Sequence, residues 1–457
     1  VTYVGALAAL LELDLEVIKA LLAETFANKP KLAAANMEAI SLGYEYAREH
    51  FECPLSMRVE PMDRTRDHIM IDGNSAAALG CLYAGVTVGA WYPITPSTSL
   101  MDAFRSLCAR YRSDAETGEN RYCVVQAEDE LAAIGMVLGA GWMGARAFTP
   151  TSGPGISLMS EFIGFGYFAE IPAVIFDVQR VGPSTGMPTR TQQCDILSAA
   201  YCSHGDTRHP ILFPADPTEC FEMAVAAFDL AERLQTPIFV LSDLDIGMND
   251  WMCPMLQWDD EYRWDRGKVL SKADLEEAEH FWRYYDHDGD GIPYRSLPGV
   301  HPKGAYFTRG SGHNAEGRYT EDADEYREVV DRLNRKFDTA AGLVPAPVVV
   351  NSARGDIAVL SVGSCDGAVR EALLLLGEHG ITLNYMRIKA FPFSEQVQAF
   401  LDRHERVFVV EQNRDGQLRK LLINETRTDP EKLVPVLHYD GLPIGSDCIL
   451  EAIREGL

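Results

Sequence analysis

None of the ten cysteines stands in a C-x-x-C pair. They fall at 53, 81, 108, 123, 194, 202, 220, 253, 365 and 448 of 457 residues, scattered and mostly in apolar surroundings. Such scatter reads as reduced core cysteine, and it leaves the chain without an iron–sulfur signature of its own. Long apolar runs are also missing. No stretch approaches the roughly 20 residues of a membrane span, and no signal segment is visible. Basic charge is in deficit: Lys and Arg number 41 against 67 Asp and Glu, for a formal charge of −26. That argues against a nucleic-acid partner and fits a cytoplasmic enzyme. The G-x-G-x-x-G fingerprint is absent, so dinucleotide binding has little support. An initiating Met is absent too. The chain opens on Val1 inside a helical pattern, and the expectation is that a preceding segment is missing.

The length and a hydrophobic content of 47% suffice for two or three packed domains. Residues 1–52 show apolar positions at helical spacing. Residues 53–66 carry two prolines and mixed charge and read as a linker. Residues 67–245 alternate strand and helix: HIMIDG, a small-residue helix over 74–86, AWYPIT, and a helix over 97–111. Three further strands, a helix over 218–234 and a strand over 236–243 follow. Short Val/Ile-rich strands alternating with helices predict a parallel α/β sheet. Residues 246–352, rich in Trp, Tyr, Asp and Arg, break the pattern and are expected to wrap over the sheet. Residues 353–457 resume it with strands DIAVLSVGS, ITLNYMRIKAF and RVFVVEQN, a second α/β domain of ordinary size. No internal repeat is present.

Residues 124–195 hold the chemistry. A strand ends on Glu128 and Glu130, a second on Thr149-Pro-Thr-Ser-Gly-Pro-Gly155, a third on Arg180 and a Gly/Ser/Thr loop. In an open parallel sheet, ligands bind outside the carboxyl ends of strands. Each feature has a plainer reading. Glu128, Asp129 and Glu130 in a first helical turn complement the helix dipole. The segment 73–80 opens a helix that could hold an anion, but small residues there equally suit close helix–sheet packing. Asp286, Asp288 and Asp290 before Gly291 resemble the front of a calcium loop, yet the twelfth position is Leu297, and an Asp/Gly turn accounts for them as well. The Gly-Asp-Gly within that run follows no apolar strand and is no diphosphate motif.

Four motifs occur together: YPITPSTSLMD (92–102), QAEDE (126–130), FTPTSGPGISLMSE (148–161) and DVQRVGPSTGMPT (177–189). With MRIKAFPF (386–393) and VEQNRDGQL (410–418), they resemble the α subunit of 2-oxoacid:ferredoxin oxidoreductases. The resemblance is nearest the 2-oxoglutarate type with fused γ and α regions and covers nearly the whole chain, residues 1–52 resembling the end of a γ-type domain. It implies a pyrimidine-type parallel α/β domain of thiamine enzymes followed by a transketolase C-terminal-like α/β domain. It also implies thiamine-dependent, CoA-acylating oxidative decarboxylation of a 2-oxoacid, with electrons passed to ferredoxin. Thiamine diphosphate would be shared with a β subunit that carries Mg²⁺ and a [4Fe-4S] cluster, in an (αβ)₂ assembly. That division of labour would account for the missing cluster cysteines and diphosphate motif.

Roles follow from the match. A carboxylate at N1′ of the aminopyrimidine tunes the cofactor; Glu128 takes that role, with Glu130 the lesser candidate. Tyr92, Pro93, Ile94, Thr151, Ser152 and Gly153 join them around the cofactor. Arg180 matches a guanidinium that grips the 2-oxoacid carboxylate, and Thr95 a threonine that hydrogen-bonds substrate near the thiazolium ring. A second carboxylate, as in 2-oxoglutarate, needs further donors, for which Arg190, Ser184 and Thr185 are nearby in sequence. Pyruvate or a branched-chain oxoacid is the alternative substrate. A non-catalytic scaffolding subunit is the alternative from another class.

Overall fold

The computed structural model describes residues 1–53, 56–350 and 355–457. Two positions of the expected linker, and the boundary expected at 352/353, lie outside the described residues. The chain divides into two compact units, Val1–His68 and Ile69–Leu457.

The smaller unit contains three helices, Thr2–Leu10, Leu15–Thr25 and Pro30–His50. Asp14 caps the second by accepting from the Glu16 amide, as an N-cap carboxylate does. The first and third pack at backbone distance. A Cβ on Gly5 would lie 1.9 Å from the Ile40 carbonyl oxygen, and one on Gly43 2.0 Å from that of Thr2.

The larger unit is built on a seven-stranded sheet. Its order is Ala390–Phe391, Ile211–Leu212, Pro237–Asp243, Ala173–Gln179, Ala147–Thr151, Val88–Trp91, Cys123–Gln126. All neighbours run parallel except Ala390–Phe391 against Ile211–Leu212. The strands Ala173–Gln179 and Pro237–Asp243 are buried along their whole length, which is why they read as unbroken apolar runs. The helices Gly73–Tyr83, Glu130–Trp142 and Pro217–Leu234 start on Asp72, Asp129 and Asp216, each accepting from a backbone amide of the first turn. The small residues of the first helix serve packing: a Cβ on Gly80 would lie 2.5 Å from the Phe221 carbonyl oxygen of the third.

A five-stranded sheet follows, in the order Leu433–Leu437, Arg406–Glu411, Ile357–Val362, Asn384–Ile388, Val348–Val350, the last antiparallel. One core cluster joins the two sheets, with Ile175, Phe239 and Phe391 packed in the same body as Leu360, Met386 and Leu418.

Three sequence expectations are corrected. His68–Ile71 does not enter the large sheet; it forms a two-stranded sheet with Trp251–Pro254. The run AWYPIT is strand only to Trp91, after which two prolines without amide hydrogens leave the ladder. The run ITLNYMRIKAF is two strands in two sheets. Asn384–Ile388 lies in the smaller one, and Ala390–Phe391 crosses to the larger, where the Phe213 amide donates to the Lys389 carbonyl at 2.8 Å. Within the expected wrapping segment, the helix Ala323–Ala340 buries Val329, Leu333, Phe337 and Ala340 at four- and three-residue spacing. Its buried Lys336 and Arg332 pair with the fully buried Glu170 at 2.8 and 3.0 Å.

Candidate active site at the carboxyl edge of the large sheet

Four adjacent parallel strands bring the four motifs to one edge. In sheet order they are Cys123–Gln126, Val88–Trp91, Ala147–Thr151 and Ala173–Gln179. Register puts Trp91 level with Gln126 and Thr151 level with Asp177, so the strands end together. The Ala127 amide extends the ladder by donating to the Trp91 carbonyl at 2.7 Å.

The acidic trio divides three ways. Asp129 turns to its own helix and accepts from the Ala132 amide at 2.7 Å. Glu128, on one side of it, is exposed. Glu130, the first helical residue, is 6% exposed. Its Cγ sits against the glycine of the neighbouring motif: a Cβ on Gly155 would lie 3.0 Å from it and 1.9 Å from Thr151 Oγ1. Only glycine leaves room for both groups. Thr151 and Ser152 are fully buried, and Ser152 Oγ has no hydrogen-bond partner.

Arg180 and Thr95 meet through the backbone of the latter. The buried Arg180 donates from Nη1 to the Thr95 carbonyl at 2.7 Å, while its Nε has no partner. Tyr92, Pro93 and Thr95 are exposed and Ile94 is half-buried. The loop after Arg180 closes on itself: the Met187 amide donates to the Val181 carbonyl and the Val181 amide to the Arg190 carbonyl, both at 3.1 Å. Gly186 makes this turn at φ 52°, and a Cβ there would lie 1.9 Å from the Val181 carbonyl oxygen.

A cavity of about 780 Å³ opens beside this loop, lined by Gly153, Arg180, Ser184, Asp195, Asn413 and Arg414 among others. Thr185 and Arg190 do not line it. Arg190 is exposed, donates from Nη1 to its neighbour Thr189's carbonyl, and packs its stem on Gly441.

Two acids escaped the sequence reading. Asp177 is fully buried in its strand, with neither carboxylate oxygen partnered. Burial, and then the neighbouring Asp195, push its carboxyl well above the usual range. Burial pushes Asp195 up to about 7, opposed by a hydrogen bond from the Cys194 thiol and by the charge of Arg180. One signal was legible: a carboxylate in the apolar run AVIFDVQ has no solvent reason to be there. Asp195 follows a polar loop and carried none.

The residues fit the ring half of a thiamine cofactor. Glu130 supplies a buried carboxylate, Gly155 a wall without a side chain, and Ser152 and Arg180 unpartnered polar atoms. A diphosphate cradle is another matter. The Gly289-Asp290-Gly291 turn is tied down by Lys268, whose Nζ bonds Asp288 at 2.6 Å, Asp290 at 2.8 Å and the Ile292 carbonyl at 2.9 Å. Asp286 accepts from the amides of Gly289 and Gly291 and pairs with Arg335. The calcium-like reading of Asp286, Asp288 and Asp290 is thereby corrected: an ammonium and backbone amides already satisfy these carboxylates. Among the described residues, no three His, Cys, Asp or Glu side chains gather as a metal site, and no helix is long and apolar enough to cross a membrane.

Residues 79–259, most of the larger sheet, match the family described as pyruvate flavodoxin/ferredoxin oxidoreductase, thiamine diphosphate-binding. The chain is 32% identical over 459 residues to the α subunit of 2-oxoacid:ferredoxin oxidoreductase 2 of Aeropyrum pernix, covering 97% of this chain and 70% of that one. It is 33% identical to the 2-oxoglutarate synthase subunit KorA of Methanothermobacter thermautotrophicus, over 76% of this chain and 88% of the relative. A solved structure of the 2-oxoglutarate:ferredoxin oxidoreductase from Magnetococcus marinus, with 2-oxoglutarate, coenzyme A and succinyl-CoA bound, superimposes with a TM-score of 0.88 at 29% identity. It covers 99% of this chain and 76% of the other. Against other archaeal α subunits, such as that of Saccharolobus solfataricus, the chain spans 62% of the relative's length. Fold, edge motifs and likeness along almost the whole chain agree: it belongs to the α subunits of the 2-oxoacid:ferredoxin oxidoreductases.

Proposed function

We propose that this chain is the α subunit of a 2-oxoglutarate:ferredoxin oxidoreductase. With a β subunit it would convert 2-oxoglutarate and CoA to succinyl-CoA and CO₂, with electrons leaving to ferredoxin, or run the reverse carboxylation. The observation that carries the reading is the 0.88 superposition, over 99% of the chain, on an enzyme holding 2-oxoglutarate, CoA and succinyl-CoA. The relatives named 2-oxoglutarate synthase support the same substrate. Those named only for 2-oxoacids favour a second reading, turnover of pyruvate and branched-chain acids at the same site.

Thiamine diphosphate supplies the nucleophilic carbon and the electron sink. This chain's part is to bind, orient and hold a proton. Of the two carboxylates, Glu130 is the one we place at N1′. It is buried where a charged side chain otherwise has no reason to lie, beside Thr151 and the open face of Gly155. Glu128 points outward and is left for a contact at the rim. Arg180 lines the cavity, where its guanidinium would meet a substrate carboxylate, while Nη1 holds the Thr95 carbonyl. Gly153 lines the cavity, and Thr151 and Ser152, just before it in the chain, are fully buried. The β subunit supplies the diphosphate and Mg²⁺ site and the iron–sulfur cluster.

The test is to co-purify the chain with its β subunit and assay CoA-dependent dye reduction across a panel of 2-oxoacids, with the acyl-CoA product identified. The reading expects 2-oxoglutarate to have the highest kcat/KM and succinyl-CoA to accumulate. Preference for pyruvate would hand the assignment to the broader reading.

A further inference from the structure

The cavity beside Arg180 contains a second guanidinium, that of Arg414, which lies within VEQNRDGQL (410–418) and to which the sequence reading gave no role. Resting on the proposed function, we infer that Arg414 reads the distal carboxylate of the substrate and sets the preference for dicarboxylic 2-oxoacids.

Among the described residues lining that cavity, Arg180 and Arg414 are the two cations. They come from different sheets. Arg180 ends a strand of the large sheet. Arg414 sits on the turn after Arg406–Glu411 of the small one. That turn is pinned on both sides of Arg414. Asn413 Nδ2 donates to the Gln193 carbonyl at 2.9 Å, and Gln417 Nε2 to the Cys194 carbonyl at 2.6 Å. The Leu197 amide returns a bond to Gln417 Oε1 at 3.0 Å. The segment so gripped, 193–197, also holds the Arg180 side of the cavity, because the Cys194 thiol donates to the Arg180 carbonyl at 3.1 Å. Arg414 is therefore carried by a fixed turn to the cavity that Arg180 also lines.

The two guanidiniums differ in a way that suits two carboxylates. Arg180 is buried with a free Nε, the setting for a group present in every substrate. Arg414 is 73% exposed, and among the described residues its side chain bonds only to the adjacent Asp415, from Nε and Nη2 at 2.7 and 3.2 Å. An exposed pair of this kind contributes little, so a substrate carboxylate can share or replace Asp415. Nη1 takes no part in the pair. The planar fork of Arg suits a carboxylate better than the point charge of Lys. Arg190, the sequence expectation for this role, lies outside the cavity, and its stem is packed on Gly441.

The experiment uses the complex with the β subunit, as wild type and as Arg414→Leu, Arg414→Lys and Arg190→Leu. Each is assayed with 2-oxoglutarate and with 2-oxovalerate, which has the same five carbons and no distal carboxylate. Arg414→Leu is expected to lower kcat/KM for 2-oxoglutarate by about 10- to 100-fold, the scale of a charge-assisted hydrogen bond. The loss should fall mainly in KM, and kcat/KM for 2-oxovalerate should fall far less. Arg414→Lys should recover part of the preference, and KM for CoA should stay level. An equal loss on both acids, no loss on either, a rise in KM for CoA alone, or discrimination lost in Arg190→Leu instead would each overturn the inference. The wild type tests the underlying function separately: a wild-type complex that prefers 2-oxovalerate refutes 2-oxoglutarate as substrate, whatever the variants do.

Discussion

Asp195 titrates where few carboxylates do. Burial raises its folded-state value from an ordinary 3.8 to about 7. As pH rises through that window, the unfolded chain releases the proton first and the folded chain keeps it. The folded state then binds more protons, and stability falls with rising pH. Asp195→Asn removes the ionisable group and its share of that slope. Thermal unfolding should therefore show the variant gaining on the wild type from pH 4.5 to pH 7.5. A constant difference between the two proteins across that range would contradict the assignment. At this scale the sequence was partly legible. Arg180 ends an apolar strand and stood out as a functional cation. The sequence reading preferred Glu128 to Glu130, whereas burial favours Glu130; two residues of helix turn a side chain to nearly the opposite face. Which one faces inward depends on where the helix begins. The bond from the Ala132 amide to Asp129 decides it, and that choice of cap is invisible in a run of three acids.

The helix Ala323–Ala340 shows how an element in the region expected to wrap the sheet becomes part of the structure. Its apolar stripe is conventional, but Arg332 and Lys336 lie on the buried side and converge on Glu170, two residues past the helix Gly153–Phe168. Their positive charges hold the Glu170 carboxyl far below its usual range, against the opposing effect of burial. Glu170→Gln leaves two buried cations without their counter-charge. Breaking a buried pair from one side costs about 3–5 kcal/mol, which chemical denaturation of the chain would register as a lowered midpoint. A change below about 1 kcal/mol would mean that water or other groups carry those charges. Elements were legible in proportion to their length and burial. The seven-residue strands Ala173–Gln179 and Pro237–Asp243 announce themselves. The pair Asn384–Ile388 and Ala390–Phe391 reads as one strand, because the single residue between them gives no break signal, and only tertiary pairing with Ile211–Leu212 divides it. His68–Ile71 has strand composition, but its partner lies about 180 residues downstream, beyond any local pattern.

At the scale of the whole molecule, the proposed function has this chain supply half of a site. Its carboxyl-edge loops gather a buried glutamate, a buried arginine and an open glycine wall. The one Gly-Asp-Gly run is occupied by Lys268, and ten free cysteines lie dispersed. The chain purified alone should contain no stoichiometric iron by elemental analysis and should bind thiamine diphosphate only once the β subunit is added, as followed by calorimetry. A brown, iron-loaded isolated chain would refute that division. Charge and cysteine pattern suggested this division from the sequence; the way two sheets share one core and bring Arg414 to the cavity that Arg180 lines was not legible, since the contacts join residues more than 200 positions apart.

The most direct test is proton exchange at C2 of thiamine diphosphate bound in the assembled complex, followed by isotope washout in the wild type, Glu130→Gln and Glu128→Gln. Loss of the carboxylate that tunes the ring should slow exchange by about 100- to 10,000-fold, the usual contribution of an acid–base group. The proposed function assigns that role to the buried Glu130, so Glu130→Gln should show the loss while Glu128→Gln exchanges within a few-fold of the wild type. Wild-type exchange in Glu130→Gln, with cofactor bound, would contradict the account.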